Sequence, residues 1–292
     1  MTKLIPQDDP GRATENELGA LEPGRLARFK RPLIALALTL IVPGLGQLYN
    51  RQLAKGILFA AAAPILLFAG TSLGLLHRFS TFVVCLLLAI TLNLCILIDA
   101  LRGAWKQRPD RAAGSRRWGG YSLFAVIAIF NLYAGLSDFY RDRIVGVRAF
   151  RTPAGSMAPT LQTGDRFIAN MRAYRARSPE RTEIIVFETL EEQTRLVKRV
   201  IAVGNDTLEI DERGVWVNGK KLDEPYLATI DPKLTRFGPK KIPAGEFFVM
   251  GDDRMNSYDS RHYGPVKRAQ IKGRPLFICW SPDTSRIGKE IR

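Results

Sequence analysis

Two long apolar runs in the first half of the chain limit what it can fold into. Residues 57–76 contain no charged side chain, and residues 79–101 contain only Asp99. A helix needs about 20 residues to cross the hydrocarbon layer of a bilayer, so each run is long enough for one crossing. The sequence therefore predicts an α-helical transmembrane region, residues 32–140.

Two further apolar segments belong to this region. Residues 121–138 are slightly short for a span and predict a third crossing. Residues 33–48 contain Pro43-Gly44, a pair that marks turns. We expect this segment to re-enter the membrane or lie at its interface, with a full span as the alternative. The polar residues 1–31 predict a disordered cytoplasmic tail.

The basic connector after the second long run sets the predicted orientation. Residues 102–117 contain six Lys or Arg residues against one acid, Asp110. Short loops rich in Lys and Arg stay on the cytoplasmic side, so residues 141–292 are expected on the outer side. The net charge is +15, and the densest basic connectors flank apolar runs. This placement favours anionic membrane lipids over nucleic acid as the charged partner.

The second half of the chain, residues 141–292, predicts one mainly β domain. Strands are expected at 184–187, 196–203, 246–250 and 276–280, and a hairpin at 215–222 turns at Asn218-Gly219, a typical type I′ pair. No helix-length amphipathic pattern appears. Three cysteines are too few for a disulfide framework, and no His, Cys and carboxylate cluster has metal-ligand spacing. The sequence therefore predicts no metal and no cofactor.

A serine in a loop bounded by glycine and proline is the first candidate for chemistry. Ser156 lies in Gly155-Ser156-Met157-Ala158-Pro159, shortly after the last apolar run. Serine is a weak nucleophile unless a base takes its proton. The usual base is histidine, and the chain contains only His77 and His262. A lysine is therefore the expected base.

Lys198 is the candidate for that base. It shares a strand face with Leu196 and Val200, and burial among apolar neighbours lowers the pKa of a lysine by several units. Asn256 and Ser257 are expected to hydrogen-bond the amine, and Asp259 with Arg261 to brace that loop. Each piece alone is more often structural. Composition and spacing indicate only a membrane-anchored β domain that is a candidate serine hydrolase.

Four blocks of sequence together resemble the type I signal peptidases, the membrane-bound serine/lysine enzymes that remove signal peptides. The blocks are Pro153 to Leu161, Gly164-Asp165 with the strand after it, Arg181 to Phe187 followed by Lys198 to Ile201, and Gly251 to Arg261. They span about residues 144–283. The resemblance implies a signal-peptidase-like β fold with Ser156 as nucleophile and Lys198 as general base. It also implies that Ser257 orients the lysine, and that Asp259 and Arg261 support the site.

The resemblance implies an endopeptidase that cuts exported preproteins after small residues at positions −1 and −3. It would act at the outer face of a bacterial cytoplasmic membrane on preprotein signal peptides, with the secretion translocon as a further candidate partner. Ala154 departs from the pattern, since some members have a serine there whose hydroxyl helps hold the oxyanion. Two alternatives stay open: a specialised processing peptidase for one exported or conjugation substrate, and an inactive membrane-tethered module that binds signal peptides.

Overall fold

The computed structural model describes residues 23–106, 124–129, 145–189, 194–228 and 236–292. The chain divides into two compact units. One consists of Met1–Leu66 and Leu87–Tyr133, and the other of Leu67–Leu86 and Ala134–Arg292. The described residues of the first unit are mostly helical, whereas the second unit holds the β-sheets.

Four α-helices occupy residues 23–106. They are α1 (Pro23–Ile41), α2 (Leu45–Tyr49), α3 (Leu53–Ser72) and α4 (Phe79–Lys106), with a 3-10 turn at Leu75–His77 before α4. Among the described residues, α3 and α4 are the two helices long and apolar enough to cross a membrane. They contain most of the two long apolar runs. The third predicted span, 121–138, lies outside the described residues except for a helical stretch at 124–129.

Helix α1 begins within the segment that the sequence predicts as a disordered tail. Residues 23–31 are helical, while residues 1–22 lie outside the described part of the chain. Pro23 occupies the first helical position, where its missing N–H leaves no helix hydrogen bond unmade. Residues 33–48 also do not form one helix. The chain breaks between α1 and α2 at Pro43-Gly44, where Gly44 has a φ of 95°.

The segment after this break is anchored by buried amides. Gln47 Nε2 donates to the Ile96 carbonyl oxygen of α4 at 2.7 Å, and Asn50 Nδ2 donates to the Ala100 carbonyl oxygen at 2.6 Å. Both side chains are at most 1% exposed. Buried amide N–H groups need acceptors, and these two carbonyl oxygens supply them. The segment therefore fixes α2 against α4 within the first unit.

The described residues from 145 onward, which belong to the second unit, contain eleven strands and one short α-helix. They are β1 (Val147–Arg151), β2 (Arg166–Asn170), β3 (Ile184–Glu188), β4 (Arg195–Val203), β5 (Thr207–Asp211), β6 (Gly214–Val217), β7 (Lys220–Lys221), β8 (Phe237–Lys241), β9 (Glu246–Met250), α5 (Ser260–Tyr263), β10 (Val266–Lys267) and β11 (Ile271–Trp280). A seven-stranded sheet runs in the order β1-β2-β11-β3-β4-β9-β10, and a four-stranded sheet in the order β7-β6-β5-β8. Neighbouring strands are antiparallel throughout.

The mainly β prediction is confirmed, including its strongest local signal. Asn218 and Gly219 connect β6 to β7 with φ values of 53° and 75°. Two consecutive positive φ values are what a type I′ turn requires. The predicted strands at 184–187, 196–203, 246–250 and 276–280 correspond to β3, β4, β9 and the end of β11.

The serine loop, residues 152–165, joins β1 to β2 and is held by the core. Met157 is 2% exposed, and Leu161 is fully buried. Both pack in one apolar cluster with Phe167 of β2 and with Ile184 and Val186 of β3. Burying side chains of this size stabilises their positions by about 1.5–3 kcal/mol each. The loop around Ser156 is therefore fastened to the sheet on which the site is built.

The first turn of α4 packs on the β domain. Phe79 and Phe82 lie against Phe277 of β11, with ring centroids 5.6 Å apart in each pair. Phe79 also faces Gly288, where a Cβ would come within 2.9 Å of its ring. These contacts lie inside the second unit. One end of the helical hairpin is thus part of the same compact body as the sheets.

Candidate active site

The geometry around Ser156 follows from two turns of the serine loop. The Ala158 N–H donates to the Gly155 carbonyl oxygen at 2.8 Å, and the Leu161 N–H donates to the Met157 carbonyl oxygen at 2.9 Å. These bonds leave Ser156 partly exposed while the next side chain points into the core. Among the residues that the structure describes, no acceptor takes the Ser156 N–H. That N–H is available for a ligand oxygen.

Strand β4 brings Lys198 to the serine. Lys198 Nζ donates to Ser156 Oγ at 2.7 Å. The lysine is only 4% exposed. Burial lowers its pKa below the ordinary value, although the nearby Asp259 carboxylate opposes part of that effect. A neutral amine in contact with a hydroxyl can accept its proton.

A second loop, residues 251–264, closes the site from the other side. The Gly251 N–H donates to Asp259 Oδ2 at 3.0 Å, and the Asp253 N–H donates to the Ser156 carbonyl oxygen at 3.2 Å. A Cβ at Gly251 would overlap the Ser156 carbonyl oxygen and Ser257 Oγ. Glycine is therefore required at this point because two loops meet across its backbone.

Asp259 and Arg261 form the ion pair that the sequence predicted. Arg261 Nε lies 2.8 Å from Asp259 Oδ1, and Arg261 Nη2 lies 2.9 Å from Oδ2. Burial would raise the pKa of Asp259, but the hydrogen bonds and charge of Arg261 hold it below its usual value. Asp259 also begins α5, where its carboxylate accepts the Arg261 N–H. The pair therefore fixes the shape of the loop that faces Lys198.

The remaining predicted site residues differ in their burial and in their hydrogen bonds. Ser257 is 6% exposed, and among the described residues its hydroxyl has no hydrogen-bond partner. Asn256 is exposed, and its amide donates to the Asp253 carboxylate at 3.0 Å, away from any bond to the lysine. Ala154 is exposed beside the serine loop. The structure thus brings Ser156, Lys198 and Ser257 to one place but directs Asn256 outward.

Sequence reasoning missed a buried network next to the site. Arg199 is 1% exposed and forms two hydrogen bonds to Asp252, Nε to Oδ1 at 2.8 Å and Nη2 to Oδ2 at 2.7 Å. Thr160 of the serine loop donates to the same carboxylate at 2.5 Å. An arginine inside an apolar strand and an aspartate after a glycine were the signals available. The sequence does not identify these two residues as partners, because 53 positions separate them.

Comparisons with known proteins identify the family of this chain. The model of the family described as "Signal peptidase, peptidase S26" matches residues 122–280, which is more than half of the chain. A relative from Synechocystis sp., named "Probable signal peptidase I-2", is 39% identical over 147 residues, covering 47% of this chain and 66% of the relative.

Two relatives from bacilli extend the match. "Signal peptidase I" of Bacillus caldolyticus is 34% identical over 187 residues, covering 60% of this chain and 94% of the relative. "Signal peptidase I S" of Bacillus subtilis is 38% identical over 135 residues, covering 43% of this chain and 72% of the relative. The matched family region contains both Ser156 and Lys198. This chain belongs to the signal peptidase family, peptidase S26.

Proposed function

We propose that the protein is an endopeptidase that removes signal peptides from exported preproteins, with Ser156 as nucleophile and Lys198 as general base. The single observation that carries the proposal is the 2.7 Å contact between Lys198 Nζ and Ser156 Oγ at a lysine that is 4% exposed. Burial favours the neutral amine, which is the form that can accept a proton.

The reaction begins as Lys198 takes the hydroxyl proton of Ser156 while Ser156 Oγ attacks the scissile carbonyl carbon. The negative charge that develops on the carbonyl oxygen is stabilised by the Ser156 N–H. The Lys198 ammonium then gives its proton to the leaving amine, and the C–N bond breaks. Water next attacks the acyl carbon while Lys198 accepts a proton from the water. The bond between the acyl carbon and Ser156 Oγ then breaks, and the Lys198 ammonium gives its proton to Oγ, which restores the serine hydroxyl and the neutral amine.

Ser257 is proposed to orient the lysine. Its hydroxyl is buried, and no described residue hydrogen-bonds it. It meets the serine loop at Gly251, where a Cβ would overlap both Ser257 Oγ and the Ser156 carbonyl oxygen. A buried hydroxyl without a partner costs about 1–3 kcal/mol. A hydrogen bond to the Lys198 amine in the working enzyme would remove that cost.

The substrate is proposed to bind as an added strand. Among the strands that the structure describes, β1 stands at one end of the seven-stranded sheet beside β2, and the serine loop follows it directly. An extended peptide on an open edge gains main-chain hydrogen bonds, while pockets under alternate side chains select by size. Small side chains at positions −1 and −3 fit this arrangement.

The test is cleavage of a synthetic preprotein by the detergent-solubilised chain. Ser156→Ala and Lys198→Ala are each expected to lower kcat by at least about 10³-fold, as removal of a nucleophile or its base does in other serine peptidases. His262→Gln is the matched control, because His262 is exposed and makes no bond to the dyad. Near-normal cleavage by Lys198→Ala would refute the mechanism, and a large loss in His262→Gln would point to a histidine base.

A further experiment separates cleavage from mere binding. An acylating lactam probe is expected to label Ser156 of the wild-type chain and to leave Ser156→Ala unlabelled. Binding of a signal peptide without cleavage and without labelling would instead identify an inactive tethered module.

A further inference from the structure

The last twelve residues of the chain, 281–292, lie beyond the family match, which ends at 280. They nevertheless return along β11. The Gly288 N–H donates to the Ile278 carbonyl oxygen at 2.8 Å, and the Ile291 N–H donates to the Leu276 carbonyl oxygen at 2.9 Å. Ile291 is 4% exposed and packs in the same cluster as Met157 and Leu161 of the serine loop. The C-terminal segment is therefore an integral part of the catalytic unit.

Arg286 of this segment binds the serine loop directly. Its side chain is 8% exposed. Its Nη1 donates to the Pro159 carbonyl oxygen at 3.2 Å, and its Nη2 donates to the Thr160 carbonyl oxygen at 3.0 Å. The same Nη2 lies 2.8 Å from Oδ2 of Asp165, a carboxylate that is fully buried. The guanidinium thus contacts the loop at two separated places.

Those contacts are linked to Ser156 by short stretches of backbone. Pro159 and Thr160 lie inside the turn in which the Leu161 N–H donates to the Met157 carbonyl oxygen, and this turn overlaps the Gly155–Ala158 turn that contains Ser156. At the other end of the loop, Asp165 Oδ2 accepts the Gln162 N–H at 2.9 Å. The loop can shift only if one of these bonds breaks.

The base of the loop is closed by the same aspartate. The Thr152 N–H donates to the Asp165 carbonyl oxygen at 2.8 Å, and the Gly164 N–H donates to the Thr152 carbonyl oxygen at 2.8 Å. Burial would raise the pKa of Asp165, but hydrogen bonds from Arg286 hold it below the ordinary value. Arg286 therefore links Asp165, at the end of the serine loop, to Pro159 and Thr160, which follow Ser156.

We propose that Arg286 is a positioning residue for Ser156, which holds the serine loop in register with Lys198 through the Pro159 and Thr160 carbonyls. This inference rests on the proposed function. Two of the three groups that Arg286 binds are serine-loop carbonyls, which a salt bridge that served only stability would not require. Arginine suits this task because its planar fork can bind several oxygens at fixed angles, whereas the lysine ammonium is a single point charge.

The test compares Arg286→Lys and Arg286→Ala with the wild-type full-length chain in detergent. We expect kcat per folded molecule to fall about 10-fold to 100-fold in both variants, because a displacement of about 1 Å at a reacting group has an effect of that size. KM is expected to change by no more than about 3-fold, since the peptide-binding edge at β1 is not touched by Arg286. Low concentrations of guanidinium ion are expected to restore part of the kcat of Arg286→Ala, and the same concentration of methylammonium is not.

Arg292→Ala is the matched control, because Arg292 belongs to the same segment but its side chain is 84% exposed and pairs with Glu290 at the surface. Its kcat should equal that of the wild type. The labelling rate of Ser156 by the lactam probe is measured for every variant. A wild-type chain that is labelled but cleaves no preprotein would refute the proposed function alone, and slower labelling in the Arg286 variants would still support the inference.

Two results would overturn the inference. One is wild-type kcat and labelling rate in Arg286→Lys, which would show that the fork is not needed. The other is a loss of activity in both variants that matches the loss of folded protein measured by near-ultraviolet circular dichroism. In that case Arg286 would act on stability only.

Discussion

The burial of Lys198 favours the neutral amine that catalysis needs, but it lowers the stability of the folded chain. An ammonium group transferred from water to a site that is 4% exposed loses most of its hydration, so the folded chain favours the neutral amine. The unfolded chain keeps the amine in water and protonated below about pH 10.4. Folding therefore shifts this lysine toward releasing its proton, and that shift lowers the free energy of unfolding below the pKa of the unfolded chain.

The sign of this linkage gives a prediction at the residue scale. The folded pKa lies below the unfolded pKa, so the unfolded state binds more protons and stability rises with pH between the two values. Lys198→Met, which has an unbranched side chain of nearly the same length and no charge, should unfold at a higher temperature than the wild type at pH 7. Its advantage should shrink as pH approaches about 10.4.

Thermal unfolding of both chains, followed by tryptophan fluorescence at several pH values, measures this difference. A Lys198→Met variant that is less stable than the wild type by the same amount at every pH would contradict it. Such a result would mean that the lysine is not held neutral in the folded protein.

At the scale of single elements, β4 couples the two loops of the site. Side chains alternate along a strand, so Lys198 and Arg199 point to opposite faces. Lys198 contacts Ser156, while Arg199 holds Asp252 of the second loop, and Thr160 of the serine loop binds the same carboxylate. Removing one partner of a buried ion pair leaves an uncompensated charge and typically costs about 3–5 kcal/mol. One strand therefore fixes both the base and the loops around it.

Gly251 lies where the two loops are in close contact, and it supplies a prediction for the element scale. In Gly251→Ala, the new methyl group would overlap the Ser156 carbonyl oxygen and Ser257 Oγ, so the serine loop must move. We expect kcat to fall on the order of 100-fold, as a shift of about 1 Å implies.

The measurement is preprotein cleavage beside Gly70→Ala as a control. Gly70 lies in α3, where the nearest atom to a new Cβ is 3.9 Å away. Equal kcat values for Gly251→Ala and the wild type would show that the contact between the loops does not set the position of the serine.

At the scale of the whole molecule, two features of α4 indicate the same orientation across the membrane. They are the basic residues that follow its C-terminal end and the aromatic contacts at its N-terminal end. α4 has 28 residues and is about 40 Å long, enough to reach from one side of a bilayer to the other. The basic connector follows its C-terminal end, while Phe79 and Phe82 at its N-terminal end pack on Phe277 of the β domain. We propose that the connector is cytoplasmic and that the β domain lies at the outer surface of the membrane.

Reporter fusions test this orientation. Alkaline phosphatase, which folds only outside the cytoplasm, is expected to be inactive when fused after residue 106 and active when fused after residue 146. The reversed pattern would place the β domain in the cytoplasm, where it could not meet the cut site of an exported preprotein.

The sequence by itself determined the features whose signal is local. The apolar runs 57–76 and 79–101 predict helices because their composition alone decides burial in lipid. The Asn218-Gly219 turn is read from two neighbouring residues that tolerate positive φ. Ser156 and Lys198 were found as a pair because a serine without a suitable histidine needs another base, and the family resemblance supplied their roles.

The tertiary structure alone decided which distant groups meet. β1 and β2 are short and contain several arginines, so their strand character depends on the partners that the sheet provides. Arg199 with Asp252, and Arg286 with Asp165, are pairs separated by 53 and 121 positions. No local pattern encodes such pairings. The two side chains of each pair meet only when the whole sheet has packed, so the free energy of that packing, and not the neighbouring sequence, determines which residues pair.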